Sequence, residues 1–409
     1  MDICVIGGGL TGLLAALRLS GTHQVTVLEM GDETGGCLSS YHLPNYTIES
    51  LYHHCFSGDV HLLSLIRELG LSDKLEWLHG STGYMVNRQI YSLTTPIQIL
   101  RYPLLSLSEK IRLGLFVLRS RRVNYGVLDS VTAKGYICDR LGDQIYHSFF
   151  EPLLRSKFGD RRDEVSAAWL MSRIAIRSDR GVEGERLGYL KGGYVQLIDA
   201  LMSRLTDAGC RIVTGHPVVS ATAADEGWIV DGVRYDHLIS TLPPQETARI
   251  CNLPLSPLPY QGSACLTMAT SADPTDGIYW VNIGDPAPYG AVITHTNFVP
   301  FDRYGEHIVY IASYFSGAPP ENCEELLLSD FCNRFSISRE MIHWHRLRIE
   351  PFAGPVYVTG YRSMIPDPNP APGLFIAGMF SPENYPERSM EGSVAAGEEI
   401  ARRVMGWSN

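Results

Sequence analysis

The chain has 409 residues, 45 % of them hydrophobic and 19 % charged, and a formal net charge of −10. That length supports a large buried core and two domains, and the acidic balance argues against a general nucleic-acid binder. The nine cysteines are scattered without a Cys-x-x-Cys pair, which suits reduced thiols in a cytoplasmic setting; no apolar run reaches transmembrane length, and a strand-like start predicts no signal peptide.

The first predicted element is a short buried parallel strand carrying Ile3, Val5 and Ile6. Gly7-x-Gly9-x-x-Gly12 follows it without a gap. Residues 13–19 are strong helix formers with no breaker, so a helix is expected there. Val25, Val27 and Leu28 predict a second strand, ended by Glu29. Strand, glycine turn, helix and spaced acid together make the β-α-β dinucleotide fingerprint. Gly7 permits the tight turn, Gly9 lets the backbone approach a pyrophosphate, and Gly12 lets helix and strand pack closely. Free N–H groups at the helix start, around Leu10 and Thr11, favour a phosphate. Glu29 is placed to accept hydrogen bonds from ribose hydroxyls.

The chain leaves the second strand at Met30 and passes through Gly35-Gly36-Cys37-Leu38. A glycine pair shortly after the acid resembles the second flavin motif of the amine oxidase, protoporphyrinogen oxidase and phytoene desaturase superfamily. There the pair is commonly followed by an arginine that reaches the FAD pyrophosphate. This chain has Cys37 in that place, so backbone or another side chain must make the contact. The resemblance next implies that residues 48–56 run past the flavin ring. His53 and His54 would point to opposite sides of an extended segment, one facing the flavin and one structural. They cannot easily share one metal ion, and no metal site is predicted. A helix over 62–71 and a hairpin over 84–93 around Asn87-Arg88 follow.

Residues 96–188 turn helical, with 97–100, 111–118 and 136–150 as the main candidates, and are expected to form an inserted cap. Arg119, Arg121 and Arg122 close one of these helices, where positive charge suits the dipole. Tyr102, Leu104 and Leu105, with Leu113, Leu115, Phe116, Val117 and Leu118, suit either a dip into a membrane surface or the cap's own core and a lipophilic pocket. The lack of an isolated basic amphipathic face favours the core. A helix to about residue 205, a strand over 210–214, a hairpin around Asp231-Gly232 and a strand over 237–241 come next. Their order resembles the middle of the same superfamily and implies that Val218 holds adenine. Residues 251–348 are β-rich and predict an antiparallel sheet walling the substrate pocket. Tyr279, Trp280, Tyr289, Phe298 and Tyr314 are pocket candidates there, though strand aromatics are more often core. His343-x-His345 shares one strand face but has no nearby cysteine or acidic pair to complete a metal site.

A strand ending in Ala377-Gly378, followed by a helix after Met390, resembles the C-terminal flavin motif. The usual acid after Ala-Gly is Met379 here, which leaves its backbone amide as the contact. Tyr385-Pro386-Glu387-Arg388 resembles a protoporphyrinogen-oxidase-like branch, and also UDP-galactopyranose mutases, in which Tyr and Arg near the flavin hold substrate.

The resemblance implies an α/β protein. A Rossmann-like FAD-binding domain would comprise 1–95, 189–250 and 355–409, with a helical cap at 96–188 and an antiparallel-sheet substrate domain at 251–354. It implies FAD held by Gly7, Gly9, Leu10, Thr11, Gly12, Glu29 and Met30, by Gly36 and Leu38, by Val218, and by Gly378, Met379 and Met390. Attachment is expected to be non-covalent, since residues 378–392 contain no cysteine or histidine. The implied activity is removal of hydride from a largely apolar small molecule. Without a second fingerprint for NAD(P)H, electrons would pass on to oxygen, a quinone or another acceptor. His54, Tyr385 and Arg388 are expected beside the ring or the substrate. Peripheral membrane contact stays open. The alternatives are a redox-neutral enzyme of the mutase type, with Arg119, Arg121, Arg122, Arg155, Arg161 and Arg162 for a diphosphate, and a non-catalytic FAD-binding scaffold.

Overall fold

The computed structural model describes residues 1–120, 123–177 and 185–406. Arg121 and Arg122 lie outside the described residues. The apolar strand Asp2–Ile6 sits at the centre of a five-stranded parallel sheet. Its neighbours are Gln24–Leu28 and then Arg211–Val213 on one side, and His237–Ser240 and then Leu374–Ile376 on the other. These strands are short, and their buried positions are mostly apolar because both faces of the sheet are covered. The helix Leu10–Ser20 covers one face and is itself covered by the last helix, Met390–Val404. The two helices approach closely because Gly397 lacks a side chain: a Cβ there would lie 2.8 Å from the Thr11 carbonyl oxygen.

A seven-stranded sheet forms the opposite side of the molecule. Its long strands Tyr260–Thr270, His307–Phe315 and Ile342–Pro355 run antiparallel. It extends through Ala291–Thr294 and Trp280–Ile283 to the hairpin Thr82–Val86 and Gln89–Ser92. Trp280–Ile283 pairs in parallel with Thr82–Val86, so the sheet is mixed rather than purely antiparallel. That pairing also carries the hairpin, expected within the nucleotide domain, over to the substrate side. Asn87 and Arg88 both have positive φ, the turn that a two-residue hairpin of this twist needs.

The cap is helical as expected, but the helix expected over 136–150 is interrupted. Ala133–Leu141 ends at Gly142, whose φ of 87° opens a short turn before the chain resumes towards the helix Glu151–Phe158. The helix Ala167–Arg177 packs beside it through Phe158 and Trp169, rings 4.7 Å apart and nearly perpendicular. Helix Glu151–Phe158 meets the large sheet at Gly290, where a Cβ would lie 2.2 Å from the Ser156 carbonyl oxygen. A glycine is therefore what lets the cap sit down on the sheet. The helix Cys323–Phe335 was not expected from sequence; it covers the outer face of the sheet through Leu327, Leu328 and Phe331.

One buried histidine of this core predicts an acid response. His295 is 2 % exposed, its Nε2 lies 3.0 Å from the Tyr304 hydroxyl, and burial pushes its pKa down to about 3. The folded protein keeps it neutral, whereas the unfolded chain protonates it below its ordinary value of 6.5. Its contribution is whole above that value and is lost as pH falls towards the folded one. Between about pH 6 and about pH 4, urea denaturation of wild type should lose roughly 1 kcal/mol more per pH unit than His295→Gln. Parallel slopes would contradict a neutral buried imidazole.

Candidate active site

A cavity of about 560 Å³ opens at the C-terminal ends of the parallel strands and is bounded on its other sides by the cap and the large sheet. This is where open α/β sheets place ligands. Gly7, with φ of 105°, turns the chain out of the first strand, and a Cβ on it would strike the Thr241 hydroxyl at 2.3 Å. Gly12 lies against the same turn: its Cβ would be 2.1 Å from the Gly7 carbonyl oxygen. Gly9 differs from both. Nothing lies within 4 Å of the position its Cβ would take. It presents bare backbone at the start of helix Leu10–Ser20, where N–H groups lack partners within the helix. Gly36 backs onto it, a Cβ there falling 3.2 Å from the Gly9 Cα, and the Gly35 N–H donates to the Gly8 carbonyl at 2.8 Å. Glu29 is held by the same loops: Oε2 accepts from the Gly8 N–H at 2.6 Å and Oε1 from the Gly31 N–H at 2.8 Å. Its remaining lone pairs are free for hydroxyl donors. These residues fit the adenosine diphosphate half of a dinucleotide.

All the residues expected at the cofactor line this cavity except Gly12. Glycine is needed at Gly12 for packing under the loop, not for ligand contact. At one end Met30 and Val218 face the same space; at the other, Gly378 and Met379 lead to Met390, the first residue of the last helix. Ser389 caps that helix by accepting from the Gly392 N–H at 3.0 Å.

The other half of the cavity is held by a clamp on the segment between Glu49 and Cys55. Glu49 is buried, accepting from the Tyr189 hydroxyl at 2.8 Å and the Tyr194 N–H at 2.5 Å. Cys55 exchanges two backbone hydrogen bonds with Gly188. Between these anchors, Tyr52, His53 and His54 all line the cavity, so neither histidine is purely structural. The His53 Nδ1–H donates to the Leu51 carbonyl at 2.8 Å, which leaves Nε2 as an acceptor. Burial pushes the His53 pKa down to about 4, with the nearby Arg388 charge adding to it. His54 Nδ1 meets the Tyr279 hydroxyl at 3.1 Å.

Charge concentrates where the cap meets the C-terminal segment. Glu387 Oε1 binds Arg173 at 2.6 Å and Lys157 at 3.5 Å. Its Oε2 is buried without a hydrogen-bond partner among the described residues. The ammonium of Lys157 lies 5.0 Å from the centre of the Trp169 ring. Burial and the Arg173 charge hold its pKa well below the ordinary lysine value, against the pull of Glu387. Arg388 enters the cavity across the bare backbone of Gly354 and carries no ion pair among the described residues. Arg348, paired with Glu350 at 3.3 Å, lines the cavity too. Burial raises the Cys37 thiol to about 11, Glu350 adding to the rise while Arg388 and Arg348 oppose it. Cys37 is thus a neutral thiol, with two arginines close to the place where the superfamily carries one.

Several expectations need correction. Tyr385 does not reach the cavity: its hydroxyl donates to Asp129 at 2.8 Å and its ring stacks on Tyr361 at 6.2 Å. Arg388, three residues on, lies past the turn and does reach it. The cap arginines expected for a diphosphate are spent elsewhere. Arg155 donates to the Gly284 carbonyl, Arg161 pairs with Glu164, Arg162 pairs with Glu151, and Arg119 points outward. Of the aromatic candidates, Trp280 and Tyr314 line the cavity, while Tyr279, Tyr289 and Phe298 are core. His343 and His345 pair with two different acids, Glu306 and Glu324, and no cluster of three or more metal-ligating side chains occurs among the described residues. Sequence reasoning does not single out Lys157, Arg173 or Arg348, and names Glu387 only as part of the motif that carries Tyr385 and Arg388.

Comparison with known proteins agrees with this geometry. The family model described as flavin containing amine oxidoreductase matches residues 10–405. Coproporphyrinogen III oxidase of Mycobacterium tuberculosis is 23 % identical over 301 residues, covering 66 % of this chain and 64 % of that protein. Protoporphyrinogen oxidase of Homo sapiens is 25 % identical over 301 residues, covering 63 % of this chain and 62 % of that protein. Both matches span less than two thirds of the relative's own length. A crystal structure of reduced UDP-galactopyranose mutase superposes with a TM-score of 0.77 at 17 % identity, covering 100 % of this chain and 94 % of that one. At that identity the likeness is one of fold.

Proposed function

Because this chain belongs to the flavin containing amine oxidoreductase family, and is thereby a flavin-dependent oxidoreductase, we propose that it dehydrogenates a molecule combining an apolar, ring-like body with at least one anionic group. The observation that carries this reading is the cavity wall. Lys157, Arg173, Arg348 and Arg388 share it with the aromatic side chains Tyr52, Trp169, Trp280, Tyr314 and Phe352. Glu387 answers Lys157 and Arg173 and Glu350 answers Arg348, so a substrate without an anionic group would leave Arg388 buried without a counter-charge, which is costly. A porphyrinogen, an apolar macrocycle bearing carboxylates, has the required chemistry, and two relatives are named for porphyrinogen oxidation.

FAD would lie non-covalently between Glu29 and Val218 at one end and Met390 at the other. When bound, the flavin supplies the two-electron acceptor for a hydride leaving a substrate C–H bond. The chain's own residues do the rest. Arg388 and Arg348 bind the anionic group, and the aromatic wall orients the apolar body. The proton released from the atom beside the broken C–H bond passes to Lys157 Nζ, whose low basicity makes the neutral amine accessible. The cap excludes water. The electrons leave for oxygen, a quinone or another acceptor.

The cation-rich wall also suits a diphosphate, so a redox-neutral reaction of the mutase type is the second reading. One experiment separates the two. The purified protein is mixed anaerobically with a panel of porphyrinogens, amines and sugar nucleotides. Bleaching of the flavin bands by a carboxylate-bearing donor is expected. Turnover only after prior reduction, with no net bleaching, would favour the mutase reading, and bleaching confined to uncharged apolar donors would overturn the proposal.

A further inference from the structure

The chain has five lysines, and one of them is unlike the rest. Lys74, Lys134 and Lys191 are exposed, and Lys110 donates to the Leu100 carbonyl at 2.7 Å. Lys157 alone lines the cavity, with a side chain 18 % exposed. Three separate stretches of chain build its surroundings. Helix Glu151–Phe158 carries it in the last turn, next to Ser156, which sits on the sheet at Gly290. Helix Ala167–Arg177 brings Trp169 and Arg173, one turn apart on one face, with the Trp169 ring centre 5.0 Å from Nζ. The C-terminal segment supplies Glu387.

This is a poor place for an ammonium ion. Glu387 Oε1 lies 2.6 Å from Arg173 and 3.5 Å from Lys157, so the guanidinium takes the carboxylate and the amine stands off. The positive charges of Arg173 and Arg388 disfavour a further cation beside them. An amine in an apolar wall next to another cationic group is an activated nitrogen nucleophile. The same nitrogen that accepts a proton in the proposed dehydrogenation can therefore bond to an electrophilic carbon. Arg388 shares the cavity, carries no ion pair among the described residues, and is open to an anionic group on the same molecule.

We propose that Lys157 captures an aldehyde or ketone as an imine, selecting carbonyl compounds that present an anionic group to Arg388 and an apolar body to the aromatic wall. Capture goes beyond the dehydrogenation and draws no electrons from it. The nitrogen lone pair forms the N–C bond as the C=O π pair moves onto oxygen. One nitrogen proton passes to that oxygen, relayed by Glu387 Oε1. The second departs with the hydroxyl as water, leaving the C=N bond, and nothing is oxidised or reduced. The test is reductive trapping on the FAD-loaded, oxidised protein at about pH 7 with para-carboxybenzaldehyde and cyanoborohydride, the labelled lysines being identified by peptide mass mapping. Lys157 should acquire the carboxybenzyl group about tenfold or more faster than any other lysine, and unfolding in urea should abolish that preference. Benzaldehyde, which lacks the carboxylate, should label Lys157 about tenfold more slowly, and Arg388→Met should remove the advantage of the acid. No donor is present, so the result is independent of which compound bleaches the flavin. Lys157 labelled no faster than the exposed lysines of the folded protein overturns the proposal. Equal rates at Lys157 for the two aldehydes overturn the selection of an anion.

Discussion

Gly9→Val is expected to purify folded but colourless, whereas Gly12→Val should be strongly destabilised. Both belong to one motif, and the structure separates their roles. Gly9 has φ −76° and ψ 176°, a conformation open to any residue, and no atom lies within 4 Å of its absent Cβ. A Cβ there meets nothing in the protein, and the side chain it carries intrudes on the space where a phosphate would lie. Affinity for FAD should fall about 100-fold or more, with a melting temperature close to that of the wild-type apoprotein. At Gly12 the Cβ would sit 2.1 Å from the Gly7 carbonyl oxygen, so helix and turn must separate. That overpacking costs about 3 kcal/mol or more. Visible absorbance and thermal melts of the two variants read out both effects. A Gly9→Val protein that stays yellow would remove this loop from the cofactor site.

Arg388 and Glu387 are adjacent in sequence and should fail in opposite ways. Arg388 has no ion pair among the described residues to lose, so Arg388→Met should fold normally. Losing a charge-assisted contact to the substrate anion should lower kcat/KM about 100-fold. Glu387 is the shared counter-charge of Lys157 and Arg173, and its side chain is only 8 % exposed. Glu387→Gln keeps the shape but leaves the Arg173 guanidinium, and Lys157 whenever it is protonated, without an anion. It should cost about 3 kcal/mol of stability and loosen the cap. Denaturant titration and steady-state kinetics, run on both variants, would show the crossover. Equal destabilisation by the two would mean that Arg388 is a structural residue.

What was legible in the sequence follows from how local each signal is. The nucleotide half is written in contiguous residues: strand, Gly7-x-Gly9-x-x-Gly12, helix and Glu29 lie within one β-α-β unit, and backbone geometry dictates each. The hairpin at Asn87-Arg88 was readable for the same reason. The reacting half is assembled from residues far apart in the chain. Lys157, Arg173, Arg348 and Glu387 meet only because the cap settles on the sheet at Gly290. In sequence such charges look like solvated faces, and Arg155, Arg161 and Arg162 nearby are satisfied away from the cavity. Tyr385 and Arg388 share one sequence motif, yet the chain turns between them and only Arg388 enters the cavity. The helix over 107–119 has apolar residues on two faces, and composition alone did not say which face the core takes.

The most direct test of the account is a matched pair of donors. A carboxylate-bearing porphyrinogen and its neutral ester share the same oxidisable ring and differ only in charge. Each is mixed anaerobically with wild type and with Arg388→Met, and the rate of flavin bleaching is followed. The free acid should bleach wild type about 100-fold faster than the ester, and Arg388→Met should erase most of that difference. Equal rates for acid and ester on wild type, or a preference that survives in Arg388→Met, would contradict a cavity built to oxidise an anionic substrate.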